Sequence, residues 1–185
     1  SHEARTQFTR VLQGMIAISR LRFPKGLAGR DIDAIARFPL WTAGQDFDHG
    51  TGHGVGVYLC VHEGPQRISR VSELPLQPGM TLSNEPGYYR EGAFCIRIEN
   101  LIIVREALDI DGGDQPMLGF ETITMAPLDQ QLIDPILLSD DELHWLNAYH
   151  GWVRRELEPM VDATTADWLR RATEPMIRNL PSASA

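Results

Sequence analysis

Cysteine is scarce in this chain: Cys60 and Cys95 are the only two in 185 residues, and they form no CxxC pair. The usual thiolate zinc and redox motifs are thereby excluded, leaving two free thiols that are expected to be buried because both lie in apolar segments, with a disulfide between them as the alternative. No apolar run approaches the roughly 20 residues of a membrane span, and no secretory signature opens the chain. Basic residues are outnumbered, 17 Lys and Arg against 25 Asp and Glu for a net charge of −8, and they form no clustered run. Neither a nucleic acid nor an anionic membrane is an expected partner, since both are bound through basic surface. Phosphate-loop motifs are missing as well. Glycines stand at 50, 52, 54 and 56, but valine occupies the place where G-x-G-x-x-G needs its third glycine, and there is no GK[ST].

What is present is ordinary globular material, 43% hydrophobic and 23% charged, enough for one domain or one and a half. Phe8, Val11, Leu12, Met15, Ile16 and Ile18 recur at helical spacing and predict an amphipathic helix from about Glu3 to Leu21. A second helix is expected over Gly29–Ala43, with Ile32, Ile35, Ala36, Leu40 and Trp41 inward. Strands are expected at Gly54–Val61, Met80–Glu85, Tyr88–Tyr89, Phe94–Val104 and Phe120–Met125, separated by Pro-Gly turns at 78–79 and 86–87. Ser139 and Glu142 form a capping-box pattern opening a helix that Gly151 interrupts, and a shorter helix follows around Ala166–Thr173 before a frayed PSASA tail. Helices preceding a run of strands predict an α+β fold with helices on one face of an antiparallel-rich sheet. The chain starts at Ser1 without methionine and enters a helical pattern at once, which predicts a fragment of a longer, cytosolic (cytoplasmic) protein.

The chemistry concentrates in FDHGTGHGVGVYLCVHEGP, where His49, His53 and His62 stand among alternating glycines. Period-two glycines leave one face of an extended segment bare, so backbone or substrate can lie against it. A zincin is excluded because HEXXH is absent and the glycines disfavour helix. Glu85 in SNEPGYY and Glu99 in CIRIENL add carboxylates. Arg97 and Glu99 share a face of a strand apolar enough to be interior, where an unpaired charge costs several kcal/mol. Glu99 must therefore face something cationic: a metal, or, in a site without one, Arg97, which could pair with Glu99 or with Glu85. Carboxylates mixed with imidazole suit Mn, Co, Fe or Zn in a hydrolytic two-metal site. Asp109, Asp111 and Asp114 in the glycine-rich stretch that follows are read as a solvated turn.

HGTGHGVG, VHEGP, NEPGYY, IRIEN and GFETIT, in that order and spacing, resemble the C-terminal part of a Xaa-Pro aminopeptidase (aminopeptidase P) of the creatinase/methionine-aminopeptidase pita-bread group, and the WLNAYH helix extends the likeness toward the C-terminus. The resemblance implies peptide substrates with proline in second position, hydrolysed by a metal-bridging water. It also implies two Mn2+ ions, with Zn2+ or Co2+ as alternatives, held by two aspartates, one histidine and two glutamates. His53 would be the histidine ligand. Glu85 would bind one metal and act as general base, and Glu99 would bridge both. His49 and His62 would contact substrate, and Arg97 would orient the site. No position matches the two aspartates, so the chain alone is expected to bind metal weakly and to lack efficient catalysis. Residues 1–127 would be the C-terminal portion of the catalytic domain, and 128–185 a helical extension packed on it, similar to the region that forms homodimers in longer members. The alternatives are a prolidase-like dipeptidase and a non-catalytic pita-bread binding module.

Overall fold

The computed structural model describes residues 1–58, 60–106 and 110–178. The chain divides into two compact units, Arg10–Thr124 and a second formed by Ser1–Thr9 with the residues from Met125 onward. Helix α1 spans His2–Arg20, and the predicted stripe is realised, with Val11, Leu12, Met15, Ile16 and Ile18 fully buried. Strand β1 (Arg22–Pro24) and helix α2 (Gly29–Trp41) follow. The Asp31 carboxylate accepts the Ala28 N–H at 2.8 Å and so satisfies one of the free donors at the start of α2. Gly14 allows α1 to lie on α2, because a Cβ there would come within 2.1 Å of the Ala36 carbonyl oxygen.

Trp41 is 43% exposed rather than inward. The buried stripe of α2 runs through Ile32, Ala36 and Leu40 at steps of four, and the residue after Leu40 turns about 100° away from it.

The main sheet has the order β1-β8-β7-β4, antiparallel throughout, with β4 Thr81–Asn84, β7 Asn100–Glu106 and β8 Met117–Thr122. One face presents Phe23, Leu82, Ile102, Val104, Leu118 and Phe120 to Ile18 of α1 and to Ile32 and Ala36 of α2, forming one core. The α+β expectation, helices against one face of an antiparallel sheet, is met. β8 begins three residues before the expected strand because its register is set by pairing Met117 with Pro24 and Phe120 with Val104.

Two expected strands differ. The Phe94–Val104 run is broken at Ile98–Glu99. Its first part, β6 (Phe94–Arg97), pairs with β5 (Gly87–Arg90) in a separate hairpin, and its second part, β7, pairs with β4. The partner chain breaks at the same level, at Glu85-Pro86, where proline has no N–H to donate to a ladder. Consequently β6 is not interior: Cys95 and Arg97 are exposed, and so is Glu99 in the break. Of the expected Gly54–Val61 strand, the described residues keep just an isolated bridge from Gly54 to Leu82; the strand lies before it, as β2 (Gly52–His53), paired with β3 (Arg67–Ile68). Beyond it the chain closes on itself through Gly56 N–H to the Cys60 carbonyl and Glu63 N–H to the Gly54 carbonyl, leaving Val57, Tyr58 and Val61 exposed. Cys60 and Cys95 are both free, as read, but exposed, because neither the loop nor β6 enters the core.

In the second unit, helix α3 (Asp140–Leu157) opens with the reciprocal Ser139–Glu142 box and passes through Gly151 without interruption. Helix α4 (Ala163–Ala172) starts three residues earlier than expected, where Asp162 accepts the Thr165 N–H. Tyr149, Val153 and Leu169 form the centre of a small core with Trp145 and Trp152 packed against it. The expected frayed tail lies outside the described residues, as does Asp109. Asp111 and Asp114 are exposed beside a turn closed from Gly113 N–H to the Ile110 carbonyl. Among the described residues, no helix is long and apolar enough to cross a membrane.

Candidate metal centre

His53, Glu85 and Glu99 come together at the junction of three elements: the end of β2, the residue after β4, and the β6–β7 break. One ligand atom from each lies within 4.8 Å of the others. Gly52 permits the approach. A Cβ at that position would sit 1.9 Å from the Ser83 carbonyl oxygen, so β2 can run against β4 only with its side chain missing. The Glu85 N–H donates to the Thr51 carbonyl at 2.7 Å and locks the two segments together. The bare glycine face inferred from sequence is thus covered by backbone.

Ser83 organises the ligands. Its hydroxyl accepts the His53 N–H at 2.9 Å and donates to Glu85 Oε1 at 2.8 Å. His53 Nδ1 lies 2.9 Å from the Gly54 carbonyl, which can only accept, so Nδ1 carries a proton. In the neutral ring Nε2 is then a lone pair, and it points at Glu85 Oε1 from 3.0 Å. Two acceptors at that distance require a proton or a metal ion between them. With Glu99 alongside, the set offers one nitrogen and carboxylate oxygens, which fits a divalent transition metal. A backbone carbonyl on the far ring nitrogen is the customary support of a metal-binding histidine.

The other predicted residues line the same cleft, of about 350 Å³. The His62 ring packs against that of His53, tilted by 37° with centroids 4.1 Å apart. Arg97 Nη1 bonds Glu85 Oε2 at 2.7 Å, the pairing that sequence left open between Glu85 and Glu99. His49 Nδ1 bonds the Gly50 carbonyl at 2.7 Å and its Nε2 bonds the Tyr89 hydroxyl at 2.8 Å. That hydroxyl also accepts from Arg97 Nε at 2.8 Å and Nη2 at 2.6 Å, so its own proton goes to His49.

Sequence reasoning missed Tyr89 and Ser83 as site residues, and it missed Asp33 and Arg37 entirely. Arg37 is 2% exposed on the inner side of α2 and pairs with Asp33 at 2.6 Å and Asp46 at 2.8 Å. Burial alone would lower the Arg37 pKa, but its bonds to the two carboxylates raise it, and although burial raises that of Asp46, the hydrogen bond from Arg37 and those of its other partners hold it well below the ordinary range. A legible signal existed. Asp33 and Arg37 are four apart beside Ile32 and Ala36, charges at helical spacing on an apolar stripe.

The chain matches the sequence model of metallopeptidase family M24 over residues 1–106, and that of the C-terminal region of this peptidase family over 116–176. The chain belongs to metallopeptidase family M24. Its α+β fold is the C-terminal part of the pita-bread fold. This M24 chain is 50% identical over 175 residues to a probable Xaa-Pro aminopeptidase P of Sclerotinia sclerotiorum, covering 83% of the chain and 29% of that relative. It is 48% identical over 174 residues to the one from Paracoccidioides brasiliensis, covering 91% and 28%. The X-prolyl aminopeptidase of Caenorhabditis elegans, described as a cytosolic enzyme with a di-nuclear active site, superposes with a TM-score of 0.88 at 38% identity, over 95% of this chain and 29% of that one. Dipeptidase PepE from Mycobacterium ulcerans gives 0.57 at 34% identity, over 69% and 31%. The M24 chain thus spans under a third of the length of these relatives.

Proposed function

We propose that this chain supplies the histidine and both glutamates of a dinuclear metal site in a Xaa-Pro aminopeptidase, which releases the N-terminal residue from peptides with proline second. The carrying observation is the pair of acceptors, His53 Nε2 and Glu85 Oε1, held 3.0 Å apart with Glu99 in reach. Two divalent cations, Mn2+ first with Zn2+ or Co2+ as substitutes, would lower the pKa of water, polarise the scissile carbonyl and stabilise the oxyanion. His53 and Glu99 would hold the ions, Glu99 being the carboxylate shared between them. Glu85 is ligand and general base, and its second oxygen is oriented by Arg97. His49 and His62 flank the ligands in the cleft and contact the substrate.

Identities of 50% and 48% to probable Xaa-Pro aminopeptidases P, against 34% to the dipeptidase, support the aminopeptidase reading over a prolidase. The convergence of His53, Glu85 and Glu99 within 4.8 Å supports it over a binding module, which has no use for a nitrogen and two carboxylates aimed at one point. A cytoplasmic location and a homodimer formed through the helical extension 128–185 belong to the same proposal. The chain is assayed for Mn2+-dependent cleavage of a Xaa-Pro-Xaa tripeptide, alone and joined to the N-terminal portion of the Caenorhabditis elegans enzyme. Activity in the joined form alone is expected. Inactivity of both folded, metal-loaded forms would shift the reading to a binding module.

A further inference from the structure

We propose that Arg37, held by Asp33, is a positioning residue for His49, and that it sets this arm of the cleft through donors none of which reaches His53, Glu85 or Glu99. Asp33 fixes the guanidinium on α2 through Nε at 2.6 Å and Nη2 at 3.3 Å. The remaining donors all go to the segment that carries His49: Nη1 to Asp46 at 2.8 Å and to the Phe47 carbonyl at 2.6 Å, Nη2 to the His49 carbonyl at 2.7 Å. The guanidinium also covers the Phe47 ring at 3.9 Å, and that ring lies 4.8 Å from the His49 imidazole. Asp33 holds the other side, since its Oδ1 accepts the Thr51 hydroxyl at 2.8 Å and the Thr51 N–H at 3.3 Å. One buried ion pair therefore grips the backbone on both sides of His49.

A buried ion pair is weak evidence for stability, because apolar residues of the same volume are often as stable. Its distinctive property is a planar fork of directed donors, which lysine and apolar side chains lack. The His53 arm is supported elsewhere, by Ser83 and the Gly54 carbonyl. The two arms meet at Thr51, which Asp33 holds and whose carbonyl accepts the Glu85 N–H at 2.7 Å, whereas the donors of Arg37 go only to Asp33 and to the segment of Asp46, Phe47 and His49. The catalytic consequence of holding His49 rests on the proposed function, but the positioning itself does not.

The test uses the full chain and reads imidazole 15N resonances and Co2+ affinity. Arg37→Lys keeps a charge for Asp33 but cannot reach both carbonyls. His49 should leave its Nδ1–H state for a mixture of tautomers while His53 keeps its own, and Co2+ affinity should change by less than about threefold, against the about 10–100-fold typical when support of a metal ligand is lost. Unmoved His49 resonances in the folded variant, or a fall in Co2+ affinity within that larger range, would overturn the proposal. Should Arg37→Lys fail to fold, Asp33→Asn with Arg37→Met, which removes both charges, is read on the His49 and His53 resonances alone, because Asp33 also borders Thr51 and through it Glu85. Failure of both to fold would make the pair structural only and end the proposal. If the unaltered chain binds no Co2+, the proposed function is what suffers, and the His49 resonances still decide the positioning role.

Discussion

Arg97 Nη1 lies 2.7 Å from Glu85 Oε2 and leaves Oε1 to His53 and Ser83. A nearly buried carboxylate thus meets cationic or donor groups on both oxygens, while Arg97 itself is 43% exposed. The arginine can neutralise Glu85 without closing the cleft.

Glu85→Gln preserves the shape and can still bond Ser83, yet removes the charge that a divalent ion needs. Co2+ affinity of the chain should fall by more than about 100-fold, beyond the loss seen when only a supporting residue is changed. Calorimetric titration beside a circular dichroism check of folding measures it. Unchanged affinity would remove Glu85 from the ligand set.

Gly52→Ala places a methyl 1.9 Å from the Ser83 carbonyl oxygen and 2.9 Å from its carbon, both backbone atoms that cannot step aside. The strand contact must open, costing about 3 kcal/mol in urea unfolding. The His53–Glu85 distance should lengthen with it, and Co2+ affinity should drop in the fraction that remains folded.

Gly151→Ala is expected to act in the opposite direction. Gly151 lies inside α3, and a Cβ there meets nothing within 4 Å. The substitution should stabilise the helix by about 1 kcal/mol, the ordinary difference in helix propensity. A lower midpoint in thermal or urea unfolding followed by helical dichroism would show that the open space is illusory.

His150 is fully buried on α3, and its Nε2 accepts the Leu128 N–H at 3.0 Å. Burial pushes its pKa down to about 4 from 6.5. The unfolded chain therefore binds the extra proton first, and stability that is fully present above pH 6.5 declines as pH falls toward 4, by about 3 kcal/mol in total. Fluorescence of Trp145 and Trp152, which pack in the same small core, reports the transition. His150→Gln should flatten this part of the profile, and an unaltered slope would assign it to other groups.

The helices were legible because their signals are local. The stripe of α1, the Ser139–Glu142 box of α3 and the Pro-Gly turns each act within a few residues. The convergence of the candidate ligands was legible for a related reason: His53, Glu85 and Glu99 stand in short motifs whose glycines and proline constrain the backbone around them. Burial of the cysteines and the continuous Phe94–Val104 strand were misread because apolar composition states what can be buried, not whether a surface lies opposite to receive it.

The sequence by itself determined the family, the α+β class and the residue types that can bind a divalent ion, since these follow from periodicity, turn chemistry and motif order. Only the tertiary structure decided that Pro86 splits one apolar run between two sheets, that Arg97 answers Glu85 rather than Glu99, and that Arg37 grips the backbone around His49. Each of these depends on which side chains face one another across many residues of chain. That is settled by strand register and core packing, in which the energy belongs to pairs of distant groups and not to any one stretch of sequence.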